Sequence, residues 1–134
     1  MAEVKGSCLC GEIRLTMRNL AEVSSSCHCG QCRKWGSGPF ICAEVEEDDL
    51  AISDPKDYVG IYEASEYARR AFCKNCGSSL YWHGHKLQGH EKTYSISLGL
   101  IEGPTDVKEG RHIFCQSKGD YYDIAENVEQ VALY

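Results

Sequence analysis

Proline is scarce in this sequence, 3 in 134 residues, and there is no internal repeat and no low-complexity tract, so nothing reads as a linker between domains. No apolar run approaches the roughly 18 residues that a membrane-crossing helix needs. The opening stretch MAEVKGSCLCGEIRL lacks the apolar segment of a secretory leader and carries charge early. One domain over residues 1–134, in the cytoplasm, is the expectation. Excess positive charge is missing too: 14 Lys and Arg face 20 Asp and Glu, a formal net charge of −6. Sequence-independent binding to nucleic acid rests on clustered cations, so neither nucleic acid nor a membrane surface is an expected partner. An acidic small substrate would need a local basic patch, and Arg33-Lys34 and Arg69-Arg70, each close to cysteines, are the candidates.

Cysteine is what the chain has in quantity, nine in all. In a reducing compartment such a set ligates metal or does redox work, and an odd number cannot pair completely within one chain. Around the cysteines the pattern is mostly β. Ile13, Leu15 and Met17 alternate onto one face of a first strand, and further strands are expected over 39–45, 58–64, 68–73, 78–84, 93–101 and 112–117. Helix is expected only as a turn or two within 31–37, with 121–134 a short helix or an irregular tail. The acidic segment 44–50 reads as a solvated turn.

Spacing divides the cysteines. In CLC, Cys8 and Cys10 stand two apart, so extended backbone would send both sulfurs the same way. In CKNCG, Cys73 and Cys76 form a knuckle in which Gly77 relieves the turn. Two and two make the four thiolates of a closed tetrahedral zinc site; a Cys73-Cys76 redox dithiol would want a βαβ context that the pattern does not supply. CHCGQC supplies Cys27, Cys29 and Cys32, three co-directed sulfurs with His28 turned away between two of them. Three protein ligands and an open position mark a catalytic zinc. The alternative is a closed site completed by His83, His85, His90 or Cys115. Cys42 and Cys115 otherwise read as small core residues, and HGHKLQGH (83–90) as a solvated loop.

Taken together, GSCLCGEIRL, CHCGQCRKWGSGPF, FCKNCGSSLYW and HIFCQSKGDYYDI resemble the family of glutathione-dependent formaldehyde-activating enzymes, which shares its domain with centromere protein V. The resemblance implies an Mss4-like fold of short antiparallel strands organised around zinc. It implies two Zn²⁺ per chain: a structural ion on Cys8, Cys10, Cys73 and Cys76, and a catalytic ion on Cys27, Cys29 and Cys32 that is more easily lost on purification. It also implies carbon–sulfur lyase-type chemistry, the addition of a thiol such as glutathione to a small aldehyde such as formaldehyde. Three anionic sulfurs make a soft centre that favours a thiol and weaken it for activating water, which argues against a hydrolase. Arg33 and Lys34 are candidates for a substrate carboxylate, with a solvated turn as the alternative reading. His28, His112 and Tyr81 are the candidate proton carriers, none with an assigned role. A non-catalytic zinc-stabilised binding module, a thiol carrier and a redox-sensitive metal buffer are the competing functions.

Overall fold

The computed structural model describes residues 3–134. Two sheets enclose the core. In the smaller, β1 (Val4–Ser7), β2 (Arg14–Met17) and β5 (Leu50–Ser53) pair antiparallel with β2 in the middle. The alternation of Ile13, Leu15 and Met17 puts all three on the inner face, where each is at most 1 % exposed. The larger sheet holds β3 (Ser25–Cys27), β4 (Phe40–Glu46), β6 (Val59–Glu63), β7 (Arg69–Cys73), β8 (Ser79–His83), β9 (Thr93–Ser97) and β10 (His112–Ile113). Its order is β10-β3-β4-β9-β8-β7-β6. Every pairing is antiparallel except β10 with β3, which run parallel. The fold is therefore mostly β and largely antiparallel, as expected.

Ala43, Val45, Ala71, Leu80 and Ile96 of the large sheet join Leu15 and Met17 of the small one in a single apolar cluster. Cys8, Cys73 and, at its margin, Cys76 belong to that cluster. Leu80→Ala empties a fully buried site at its centre, so a loss of about 2–5 kcal/mol is expected. It should appear as a lower urea midpoint at unchanged slope. The seam between the sheets is close: Gly6 bridges Ile101, and a Cβ on Gly6 would lie 2.7 Å from the Leu100 carbonyl oxygen. Because that neighbour is backbone, Gly6→Ala should cost about 1–3 kcal/mol in the same assay.

Several elements end sooner than the alternation suggests. The strand expected to Ile101 stops at Ser97, and a 3-10 turn over Leu98–Leu100 swings Leu100 into the core. The strand expected over 112–117 is only His112–Ile113; Phe114, at φ 53°, turns the chain into a second 3-10 turn, Cys115–Ser117. Residues 121–134 are irregular, tied down where Gln130 bridges His112. The acidic segment 44–50 ends β4, passes a 3-10 turn at Glu47–Asp49 and enters β5, so it connects the two sheets. No helix among the described residues is long and apolar enough to cross a membrane. The one α-helix among the described residues, α1 (Gly30–Gly36), follows the CHC motif directly and ends where Ser37 adopts a left-handed conformation.

Candidate metal centres

Two turns build the first centre. After β1 the chain reverses at Gly11, whose N–H donates to the Cys8 carbonyl, and the Ile13 N–H reaches back to the Cys8 sulfur at 3.4 Å. After β7 the same device recurs: Gly77, at φ 82°, donates to the Cys73 carbonyl, and the Cys76 N–H approaches the Cys73 sulfur at 3.4 Å. Each turn thus aims a backbone N–H at a sulfur, an arrangement that favours thiolate. Cys8 and Cys10 lie in this turn, not in extended backbone, yet the turn also brings their sulfurs together. The Sγ–Sγ distances are 3.5 Å for Cys8–Cys10 and 3.8 Å for Cys10–Cys73. A tetrahedron of sulfurs about 2.3 Å from a zinc ion has edges of about 3.8 Å, so the donor set fits that ion in both kind and size. The four sulfurs of Cys8, Cys10, Cys73 and Cys76 all lie within 4.8 Å of one another.

The second group forms where β3 hands over to α1. Cys27 ends the strand, Cys29 caps the helix by accepting from the Cys32 N–H at 3.4 Å, and Cys32 occupies the first turn. Their sulfurs also lie within 4.8 Å of one another, and among the described residues no fourth His, Cys, Asp or Glu joins them. Thiols from Cys27 and then Cys32 stabilise charge on Cys29 and hold it down to about 2, while its charge pushes Cys27 far up. A cleft of about 230 Å³ opens beside Cys32, lined by Trp35, Pro39, Phe40, Ser79 and Ser97 among others.

His28 points away from these sulfurs. It is 1 % exposed and lies in a hydrogen-bonded row: Tyr122 Oη to His28 Nδ1 at 2.8 Å, His28 Nε2 to His112 Nδ1 at 2.8 Å, and His112 Nε2 to Glu109 at 3.0 Å. Burial first, then the neighbouring His112 and Lys118, keeps His28 below the usual imidazole range. His28→Ala would strand the buried His112 Nδ1, so a loss of about 1–3 kcal/mol is expected in thermal melts.

The other candidates are dispersed. His83 bonds the Glu91 carbonyl at 2.6 Å, His85 lies 3.8 Å from Glu63, and the Cys115 thiol turns to the His112 carbonyl. His90 is exposed in its loop. Cys42 is buried, which pushes its thiol up to about 12 and suits an inert core position. Tyr81 packs edge-on against Tyr94 in the core. Arg33 donates from Nε to the Ser117 carbonyl, and Lys34 is exposed.

In the sequence Arg70 is only half of a basic pair with Arg69. Arg69 fits that reading, being partly exposed and paired with Glu63 at 2.9 Å. Arg70 is instead buried, with Nη2 3.5 Å from the Cys32 sulfur and its guanidinium 4.9 Å from the centre of the Trp35 ring. Nor did spacing show the Tyr122–His28–His112 row, because its members stand 84 and 94 residues apart.

A mostly β chain whose turns gather four cysteines in one place and three in another is a small two-centre cysteine protein. It belongs to the glutathione-dependent formaldehyde-activating enzyme family, whose model matches residues 3–117. It is 34 % identical over 125 residues to an uncharacterized lyase of Schizosaccharomyces pombe, covering 93 % of this chain and 88 % of that one. Its fold is similar to the crystal structure of a Rhodobacter sphaeroides protein, with a TM-score of 0.61, 22 % identity, and coverage of 78 % of this chain and 98 % of the other.

Proposed function

We propose that the chain is a zinc-dependent carbon–sulfur lyase-type enzyme that adds a thiol, glutathione or a close analogue, to a small aldehyde such as formaldehyde. Cys8, Cys10, Cys73 and Cys76 would hold a structural ion, and Cys27, Cys29 and Cys32 a catalytic one. The observation that carries the reading is the unequal donor count: four sulfurs converge in one place, and three converge beside a cleft in the other. Membership of the family and the lyase name of the yeast relative support the same chemistry. A zinc ion on three thiolates supplies a soft centre at which a thiol gives up its proton near neutral pH.

The residues of the chain do the rest. Trp35, Pro39 and Phe40 give the cleft beside Cys32 an apolar lining. Arg33, tethered to Ser117, and the exposed Lys34 are the cations proposed for the carboxylates of the thiol. One carbon–sulfur bond forms, the thiol proton ends on the carbonyl oxygen, and no atom is lost. Lys34→Ala should raise the KM for glutathione about two- to fivefold at constant kcat, the worth of one exposed ion pair.

A thiol carrier without turnover is the second reading. It is favoured by the cleft lining, where no His, Asp or Glu stands ready to move a proton. Exchange NMR with isotope-labelled formaldehyde and glutathione separates the two. An enzyme speeds interconversion of free and thiol-added formaldehyde, whereas a carrier leaves the spontaneous rate unchanged.

A further inference from the structure

We propose that Arg70 is a positioning residue that neutralises the Cys27/Cys29/Cys32 centre and so makes it receptive to an anionic fourth ligand. The inference rests on the reading above, that these sulfurs hold a zinc ion and receive a thiol.

Arg70 is 5 % exposed. An arginine so deeply buried normally carries a carboxylate, because an unpaired buried charge is heavily penalised and guanidinium cannot escape by losing its proton. Among the described residues no carboxylate pairs with it. Its hydrogen bonds run from Nη2 to the Cys32 sulfur at 3.5 Å and to the Gln31 carboxamide oxygen at 3.3 Å. Nε and Nη1 have no partner. Trp35 offers its ring face, which attracts a cation without neutralising it. The counter-charge of Arg70 is therefore the thiolate group itself.

The charges then balance. Three thiolates and a divalent ion leave one negative charge, and the guanidinium cancels it. A fourth, anionic ligand arriving at a neutral centre meets no net repulsion, whereas without Arg70 it would meet a like charge at short range in a poorly solvated place. A neutral ligand is indifferent to this difference. Discrimination between anionic and neutral ligands is thus the signature of the proposed role, and loss of packing would not produce it.

The test uses the full chain loaded with Co²⁺, its metal content counted and its absorption followed while two probes are added. Thiocyanate is a soft anion that needs no deprotonation, and imidazole is neutral. Arg70→Met should weaken thiocyanate binding about tenfold to a hundredfold, the range typical of outer-shell partners, and leave imidazole binding unchanged. Arg70→Lys should restore most of the loss. If Arg70→Met does not fold or load, Arg70→Lys and Arg70→Gln carry the comparison, since each keeps a donor and only lysine keeps the charge. Equal weakening of both probes, unchanged thiocyanate binding, or equal behaviour of Lys and Gln would overturn the proposal. A wild-type protein that takes neither probe would instead defeat the open-centre reading, and this inference with it. Normal wild-type binding with an indifferent variant defeats only the role of Arg70.

Discussion

Cys76→Ala should be unfolded at 25 °C. A structural zinc contributes on the order of 10–16 kcal/mol of binding free energy that is realised only in the folded chain. The whole stability of a domain this size is only about 5–15 kcal/mol, so losing the ion leaves little behind. Position strengthens the argument. Cys73 ends β7, Cys8 follows β1, and both are buried members of the apolar cluster that joins the two sheets. An ion held by these four cysteines would tie the end of β1 in the small sheet to the end of β7 in the large one. Far-UV circular dichroism beside zinc analysis is the measurement. Coil-like spectra and little bound zinc are expected; a native spectrum at one zinc per chain would remove the structural role from this group.

Cys32→Ala should behave in the opposite way: a folded chain with one zinc and no thiol binding or turnover. Cys27, Cys29 and Cys32 lie outside the apolar cluster, at the junction of β3 and α1. Replacing Cys32 removes one sulfur from a short helix and one of the hydrogen-bond partners of the buried Arg70, which keeps Gln31; the expected cost of about 1–3 kcal/mol is still below the stability of a domain this size, about 5–15 kcal/mol. Two remaining thiolates are a poor zinc site, so function should be lost while the fold is kept. The contrast between the two variants is the point. Global unfolding of Cys32→Ala would mean that the second group is structural as well.

The parts of this architecture that were legible were those written in local spacing. Alternation at Ile13, Leu15 and Met17 identified the inner face of a strand, and the cysteine spacings sorted seven residues into the two groups that the fold brings together. Short strands were harder. β1 (VKGS), β3 (SSC) and β5 (LAIS) do not alternate apolar with polar residues, so no period marks them. The region 93–101 stays apolar beyond Ser97 because Leu100 is still buried, now through a 3-10 turn, and composition does not separate the two conformations. Arg70 was least legible of all. Beside Arg69 it looks like half of a solvated basic pair, and only β6 pairing with β7, which sets Arg69 opposite Glu63, and the placing of α1 show that one arginine faces Glu63 and the other Cys32.

Zinc per chain, measured on protein purified without chelator and again after glutathione and brief dialysis, tests the central claim most directly. Two zinc ions are expected at first, with only the one on Cys27, Cys29 and Cys32 responding to the added thiol. One zinc per chain, indifferent to glutathione, would contradict the claim and leave a zinc-stabilised binding domain as the better description.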